Sequence, residues 1–207
     1  MQKLLLIIFS CIAFLITKAQ NQVTVGDCTV TYSITGGDAG TNKNLQGASK
    51  TFYLKGKLSR VDLTSNDFKQ SIIYDAKAGS AVILKEVGSE KYKSVYTAEQ
   101  WKNENKRFEG FKITTTSERK TILGYDCKKI VVSLKDGNTY NMYCATAITP
   151  SITENPYQFK DMPGFVLEYE MSSGGNTKIT YTATMINFNP VPASKFEIPS
   201  TGYRLLQ

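Results

Sequence analysis

Apolar and polar residues alternate with a period of two along most of this chain, and that alternation predicts strands. In FKQSIIY, residues Phe68, Gln70, Ile72 and Tyr74 share one face. In FVLEYEM, Phe165, Leu167, Tyr169 and Met171 share one face, with Val166, Glu168 and Glu170 opposite. In KITYTATMI, Ile179, Tyr181, Ala183 and Met185 line up against a row of threonines. The pattern predicts strands over 23–34, 51–55, 58–64, 68–74, 81–87, 91–96, 112–122, 128–134, 139–145, 165–171 and 178–187. Short turns join them, the clearest being Lys135-Asp136-Gly137-Asn138 between two alternating runs. Strands in succession with short turns point to an antiparallel meander rather than to βαβ units.

Helical signals are scarce. The best stretch is 97–107, TAEQWKNENKR, where Thr97 and Gln100 have capping-box spacing. A turn or short helix is expected within 151–160, and the Gly- and Asn-rich stretch 36–46 reads as a loop. Strands with one apolar and one wet side must cover the apolar side. The expected architecture is therefore mainly β: a curved antiparallel, incompletely closed barrel of about eleven strands, with one or two short helices as plug or lid.

The N-terminus breaks the alternation. Lys3, an apolar run over 4–16 and then Lys18-Ala19-Gln20 form a secretory signal pattern. The run is shorter than the roughly 20 apolar residues of a membrane span. The expected division is a signal peptide over 1–20 and one β domain over 21–207, with no transmembrane segment after cleavage. The protein is expected to be exported, to the periplasm or the envelope. Ile8-Phe9-Ser10-Cys11 offers an alternative, lipidation at Cys11, against which stands the apolar run continuing past the cysteine.

Charge and chemistry narrow the function classes. The formal charge of +7 falls to +5 without Lys3 and Lys18. Its lysines alternate with acids, as in Lys85-Glu86 and Glu90-Lys91, which describes a solvated surface and no nucleic-acid footprint. The chain has no histidine, so Ser–His–Asp and Cys–His arrangements are excluded. Ser117-Glu118-Arg119-Lys120 matches S-x-x-K but falls in a threonine-rich strand region instead of at a helix start. Glu168 and Glu170 lie about 7 Å apart on one strand face, a spacing that an inverting glycosidase also uses. A wet strand face paired with lysines explains them without catalysis. Catalytic residues, metal ligands and cofactors are accordingly expected to be none.

Cys28, Cys127 and Cys144 remain after the signal. With the hairpin loop at 135–138, Cys127 and Cys144 share a face but sit diagonally, which is poor bridge geometry. Cys28–Cys127 is the expected disulfide, leaving Cys144 free. Cys127, beside Lys128 and Lys129, also has the local charge of a reactive thiol.

Several segments carry a family resemblance: SIIYD with AGSAVILKEVGSEKY, KTILGYDCKKIVVSLKDG, FKDMPGFVLEYE and FEIPSTGYR. Together they resemble the GLPGLI and related families of exported Bacteroidota proteins, themselves similar to the outer-membrane lipoprotein carriers and localisation factors. The resemblance implies a curved open barrel whose concave apolar face, in the carriers, holds acyl chains. It brings no catalytic residues.

The function expected is non-enzymatic binding in the cell envelope, with a lipid, acyl chain or lipoprotein held in an apolar barrel cavity. The candidate ligand-facing residues are Phe68, Ile72, Tyr74, Phe165, Leu167, Tyr169 and Met171 on the strands, with Trp101 and Phe108 at the lid. The alternative is a structural or interaction component of the envelope with a filled core and a protein partner.

Overall fold

The structure is a computed structural model that describes residues 22–36, 47–172 and 177–206. The expected signal segment, Cys11 included, and residues 37–46 of the expected loop lie outside those residues. Fourteen strands are described: β1 (Val23–Val25), β2 (Asp27–Gly36), β3 (Ser49–Lys55), β4 (Leu58–Thr64), β5 (Phe68–Asp75), β6 (Ser80–Val87), β7 (Glu90–Tyr96), β8 (Lys112–Ile122), β9 (Tyr125–Ser133), β10 (Thr139–Ala145), β11 (Ile148–Pro150), β12 (Phe165–Ser172), β13 (Lys178–Asn187) and β14 (Arg204–Leu205). One α-helix, α1 (Ala98–Glu104), and two 3-10 turns, Lys106–Phe108 and Ala193–Phe196, accompany them.

Twelve strands form one sheet in the order β14-β7-β6-β5-β4-β3-β2-β13-β12-β10-β9-β8. Two meanders, β2 to β7 and β8 to β13, meet where β2 pairs antiparallel with β13. The sheet is curved and does not close. Its two sides, β7 with the short parallel β14 and β8, are consecutive along the chain, and α1 with the first 3-10 turn bridges them. The expected incompletely closed barrel is thus present. The strands that alternation missed are β11 and β14, both too short to show a period of two. Both make parallel pairs, β11 with β1 and β14 with β7.

Alternation dictates the interior. Cys28–Leu54, Val30–Phe52 and Tyr32–Lys50 are cross-strand partners on β2 and β3, and all six are buried. From the other meander come Ile130, Val132, Met142, Leu167 and Tyr169. Rows from both halves enter one core, as expected where a sheet curls around its apolar face. On β5 the burial pattern departs from one apolar and one wet side. Ser71 and Ile73, on the expected wet side, are buried. Ile73, Val82 and Leu84 pack against Tyr203, whose hydroxyl donates to Glu86 at 2.6 Å. The C-terminal segment therefore wraps the outside of the sheet, tied by Arg60 to the Lys195 carbonyl at 2.6 Å and Lys93 to the Pro199 carbonyl at 3.0 Å.

Local chemistry sets the joints. Thr97 and Gln100 form the full capping box, with Gln100 N–H donating to Thr97 Oγ1 at 3.3 Å and Thr97 N–H to Gln100 Oε1 at 2.8 Å. Leu123 and Gly124 both have positive φ, 51° and 81°, in a two-residue link between Ile122 and Tyr125. Positive φ at both central residues is the type I′ hairpin geometry. Gly164 sits against the chain: a Cβ there would lie 2.2 Å from the Ala145 carbonyl oxygen.

The expected Cys28–Cys127 disulfide is absent. All three cysteines are buried free thiols. Cys28 is on β2 and Cys127 on β9, with β13, β12 and β10 between them in the sheet. The hairpin loop is also one residue longer than expected. Ser133 pairs with Thr139, so Cys144 faces Lys128 and Cys127 faces Ala145. Ser117 to Lys120 lies within β8. Among the described residues, no helix is long and apolar enough to cross a membrane, which says nothing of strands.

Candidate functional site

The candidate ligand-facing residues separate into three places. Phe165, Leu167 and Tyr169 are buried in the main core, and Phe108 and partly buried Met171 pack with it. Tyr74 and Trp101 form a second cluster with Ile72 beside it. Phe68 stands apart on β5, with the Lys85 ammonium 5.6 Å from its ring centre. Phe165 packs edge-on against Phe52 at 6.2 Å, and Trp101 meets Tyr96 at 5.6 Å. The interior that these side chains line is filled. Among the described residues, the gap beside Phe165 amounts to about 20 Å³, and the one between Phe108 and Met171 to about 10 Å³. A site of that size takes about one water.

The larger space lies at the barrel mouth. A groove of about 860 Å³ runs between α1 with its 3-10 turn, the start of β8 and the segment 156–161. Phe108, Phe111, Ile113, Pro156 and Tyr157 give it apolar walls, while Lys102, Lys106, Glu109, Lys160 and Asp161 add charge to its lining. The segment 151–164, between β11 and β12, makes one wall. Asn155 caps its turn, accepting from the backbone N–H groups of Tyr157 at 3.0 Å and Gln158 at 3.1 Å. Pro156 follows, a residue suited to the first position after such a cap. Asn155 donates to Asn105 at 2.7 Å, and Asn105 donates to the Trp101 carbonyl at 2.8 Å, so the segment and helix are coupled. Phe159 inserts inward against Tyr169 at 5.0 Å.

Near Phe159 lies a buried lysine within a cage of tyrosines. Lys50, on the inner face of β3, is 4% exposed. Its ammonium lies 4.5 Å from the ring centre of Tyr169, 4.8 Å from that of Tyr32 and 5.0 Å from that of Tyr181. It donates to Glu154 Oε1 at 2.5 Å and to the Tyr169 hydroxyl. Tyr169 in turn donates to Glu154 Oε1 at 2.8 Å, and Tyr32 donates to the Val166 carbonyl at 3.1 Å. Tyr169 and Tyr181 stack at 4.9 Å. Glu154 Oε2 is buried with no partner. Burial lowers the Lys50 pKa below that of an ordinary lysine, and Glu154 pulls it back up. Burial, reinforced by Glu154, holds Tyr32 and Tyr169 well above the usual phenol value. Alternation carried the signal for Lys50, which is in phase with buried Phe52 and Leu54. Starting the strand at residue 51 left it outside, and no local pattern marks Glu154.

The side chains weighed from sequence for chemistry have these surroundings. Glu168 accepts from Lys120 at 2.7 and 2.9 Å and from Thr182 at 2.7 Å, and Glu170 pairs with Lys178 at 3.1 Å and Asn141 at 3.0 Å. Cys127 is fully buried, and burial pushes its thiol up to about 11, so Lys128 and Lys129 do not activate it. Among the described residues, no three His, Cys, Asp or Glu side chains converge as a metal ligand set.

The sequence family defined by the domain of unknown function (DUF4412) matches residues 39–203, and the chain belongs to it. The match begins after β2. No curated protein matches the sequence. Among solved structures, the chain is similar to PNGF-II in a C2 crystal form, at 15% identity over 86% of this chain and 30% of that one, with a TM-score of 0.41. The P21 form of PNGF-II gives 15%, 88%, 31% and 0.43. The chain thus spans about a third of the PNGF-II chain. It is also similar to a β-barrel-like protein of the domain of unknown function DUF1849 from Brucella abortus, at 9% identity over 80% of this chain and 98% of that one, with a TM-score of 0.38.

Proposed function

We propose that this member of the DUF4412 family is a non-enzymatic binding protein of the cell envelope that takes an amphiphile at the mouth of its open barrel. The ligand is a lipid, an acyl chain or the acyl group of a lipoprotein. The observation that carries this reading is the groove of about 860 Å³, with apolar walls and charged rims. Its volume falls within the range of small-molecule sites, roughly 300–1,000 Å³. The signal-like N-terminus and the motifs resembling exported Bacteroidota families support the compartment. The filled interior moves the binding surface from the barrel cavity expected from sequence to the mouth.

Native mass spectrometry of the protein purified from its own envelope in mild detergent tests the proposal. A lipid-mass adduct is expected, and Phe111→Asp should abolish it without loss of fold. An adduct-free protein that also fails to take lipid from phospholipid vesicles would refute the reading. The same filled core favours a second role, as an interaction component of the envelope. A stoichiometric protein partner recovered with lipid-free protein is its expected signature.

A further inference from the structure

Within that reading, the structure assigns a ligand class. We propose that the Lys50 cage recognises the carboxylate of a long-chain acyl amphiphile, and that Glu154 holds the place of that carboxylate while the protein is ligand-free. The proposal rests on the amphiphile-binding reading and adds the site and the head group.

The division of labour between elements carries the argument. Lys50, Tyr32, Tyr169 and Tyr181 stand on β3, β2, β12 and β13, so the cation and its aromatic walls belong to the sheet. The anion alone belongs to the connecting segment 151–164. A carboxylate buried only for stability needs both oxygens satisfied to offset its desolvation. Glu154 Oε2 has no donor, although its side chain is 10% exposed. The receptor is complete without Glu154, and Glu154 fits it incompletely. Beside the carboxylate, the gap of about 20 Å³ is walled by Phe52, Phe159, Phe165 and Val166. A head group in Glu154's place would lead its chain into that apolar wall, with Phe159 and its segment moved outward toward the groove. One cation on a narrow apolar floor suits a monoanionic carboxylate with an acyl tail.

The test compares cis-parinaric acid with its methyl ester, each titrated into the mature chain and read by the polyene fluorescence. Wild type is expected to prefer the acid at least 10-fold. Glu154→Gln removes the resident anion and should tighten the acid at least 10-fold with little change for the ester. The neutral pair Lys50→Met with Glu154→Gln leaves no unpaired buried charge and should bring the two ligands within two-fold. Acetate at 100 mM should not compete. Equal acid-to-ester ratios in wild type and the neutral pair would overturn the Lys50 site while leaving the groove reading intact. Full competition by acetate would overturn the acyl class. Failure of acid, ester and phospholipid vesicles alike would remove the broader reading as well.

Discussion

Removing one member of the Lys50–Glu154 pair should cost far more than removing both. Glu154→Ala leaves an ammonium that is 4% exposed without its counter-ion. Stripping one partner from a buried pair costs about 3–5 kcal/mol. The three tyrosine faces at 4.5–5.0 Å return part of that, since a desolvated cation–π contact is worth about 2 kcal/mol. A net loss of about 3 kcal/mol is expected. Lys50→Met should cost a similar amount, because it strands a carboxylate that already has one oxygen without a donor. Lys50→Met with Glu154→Leu should come within about 1 kcal/mol of wild type, as apolar replacements of buried pairs often do. The assay is urea unfolding at pH 7, run as a double-mutant cycle. Losses that simply add, to within about 0.5 kcal/mol, would refute the coupling. The pH dependence has a definite sign. With its folded pKa lowered, Lys50 loses its proton in the native state before the unfolded chain does, so its penalty is complete at low pH and eases as pH rises toward about 10.4. In Glu154→Gln the opposing pull of Glu154 is gone, and stability should rise more steeply with pH below about 10.4 than in wild type.

Three further predictions follow from single sites. Gly164→Ala should lower the urea midpoint by the equivalent of about 3 kcal/mol, because its Cβ meets backbone at 2.2 Å, while Gly26→Ala, with nothing within 4 Å, should leave it unchanged. Leu123→Asn should raise the melting temperature, worth about 0.5–1 kcal/mol, because asparagine tolerates the positive φ of this exposed turn position. Burial pushes the Cys28 and Cys144 thiols up to about 12 and that of Cys127 to about 11, so Ellman's reagent at pH 8 should find these three almost inert in native protein and all three reactive after guanidinium unfolding. Unfolded, unreduced protein in which two of those thiols stay unreactive until reduction would show a disulfide instead.

Sequence periodicity located each strand longer than three residues because the physical rule is local: one side of each strand faces the core. The same rule placed Phe165, Leu167 and Tyr169 inward and Glu168 and Glu170 on the opposite side, but that side is not wet throughout: Val166 and Glu168 are buried there. The rule gave neighbours within each meander but not how the meanders join, so the β2–β13 pairing stayed hidden, as did the extra residue in the loop between β9 and β10 that shifts Cys127 against Cys144. Outer-face burial of Ile73 was equally invisible, because Tyr203, which packs against it, is distant in sequence. Lys50 was legible as a lysine in phase with an apolar row. Its partner was not, since Glu154 comes from a connection whose path no periodicity describes.

The seam between β2 and β13 joins residues far apart along the chain, such as Ser33 and Thr182, 149 residues away. Each meander needs only neighbouring hairpins, which form early, whereas closing so long a loop is slow. Folding should therefore pass through a stage with two half-sheets, each presenting one unpaired strand edge to the other. Those edges are templates for any chain that arrives first. A fragment cut to the matched span 39–203 lacks β2 and would stay at that stage, with β3 and β13 left as two open edges. β2, which precedes the family match, is the strand that joins the two half-sheets into one curved sheet.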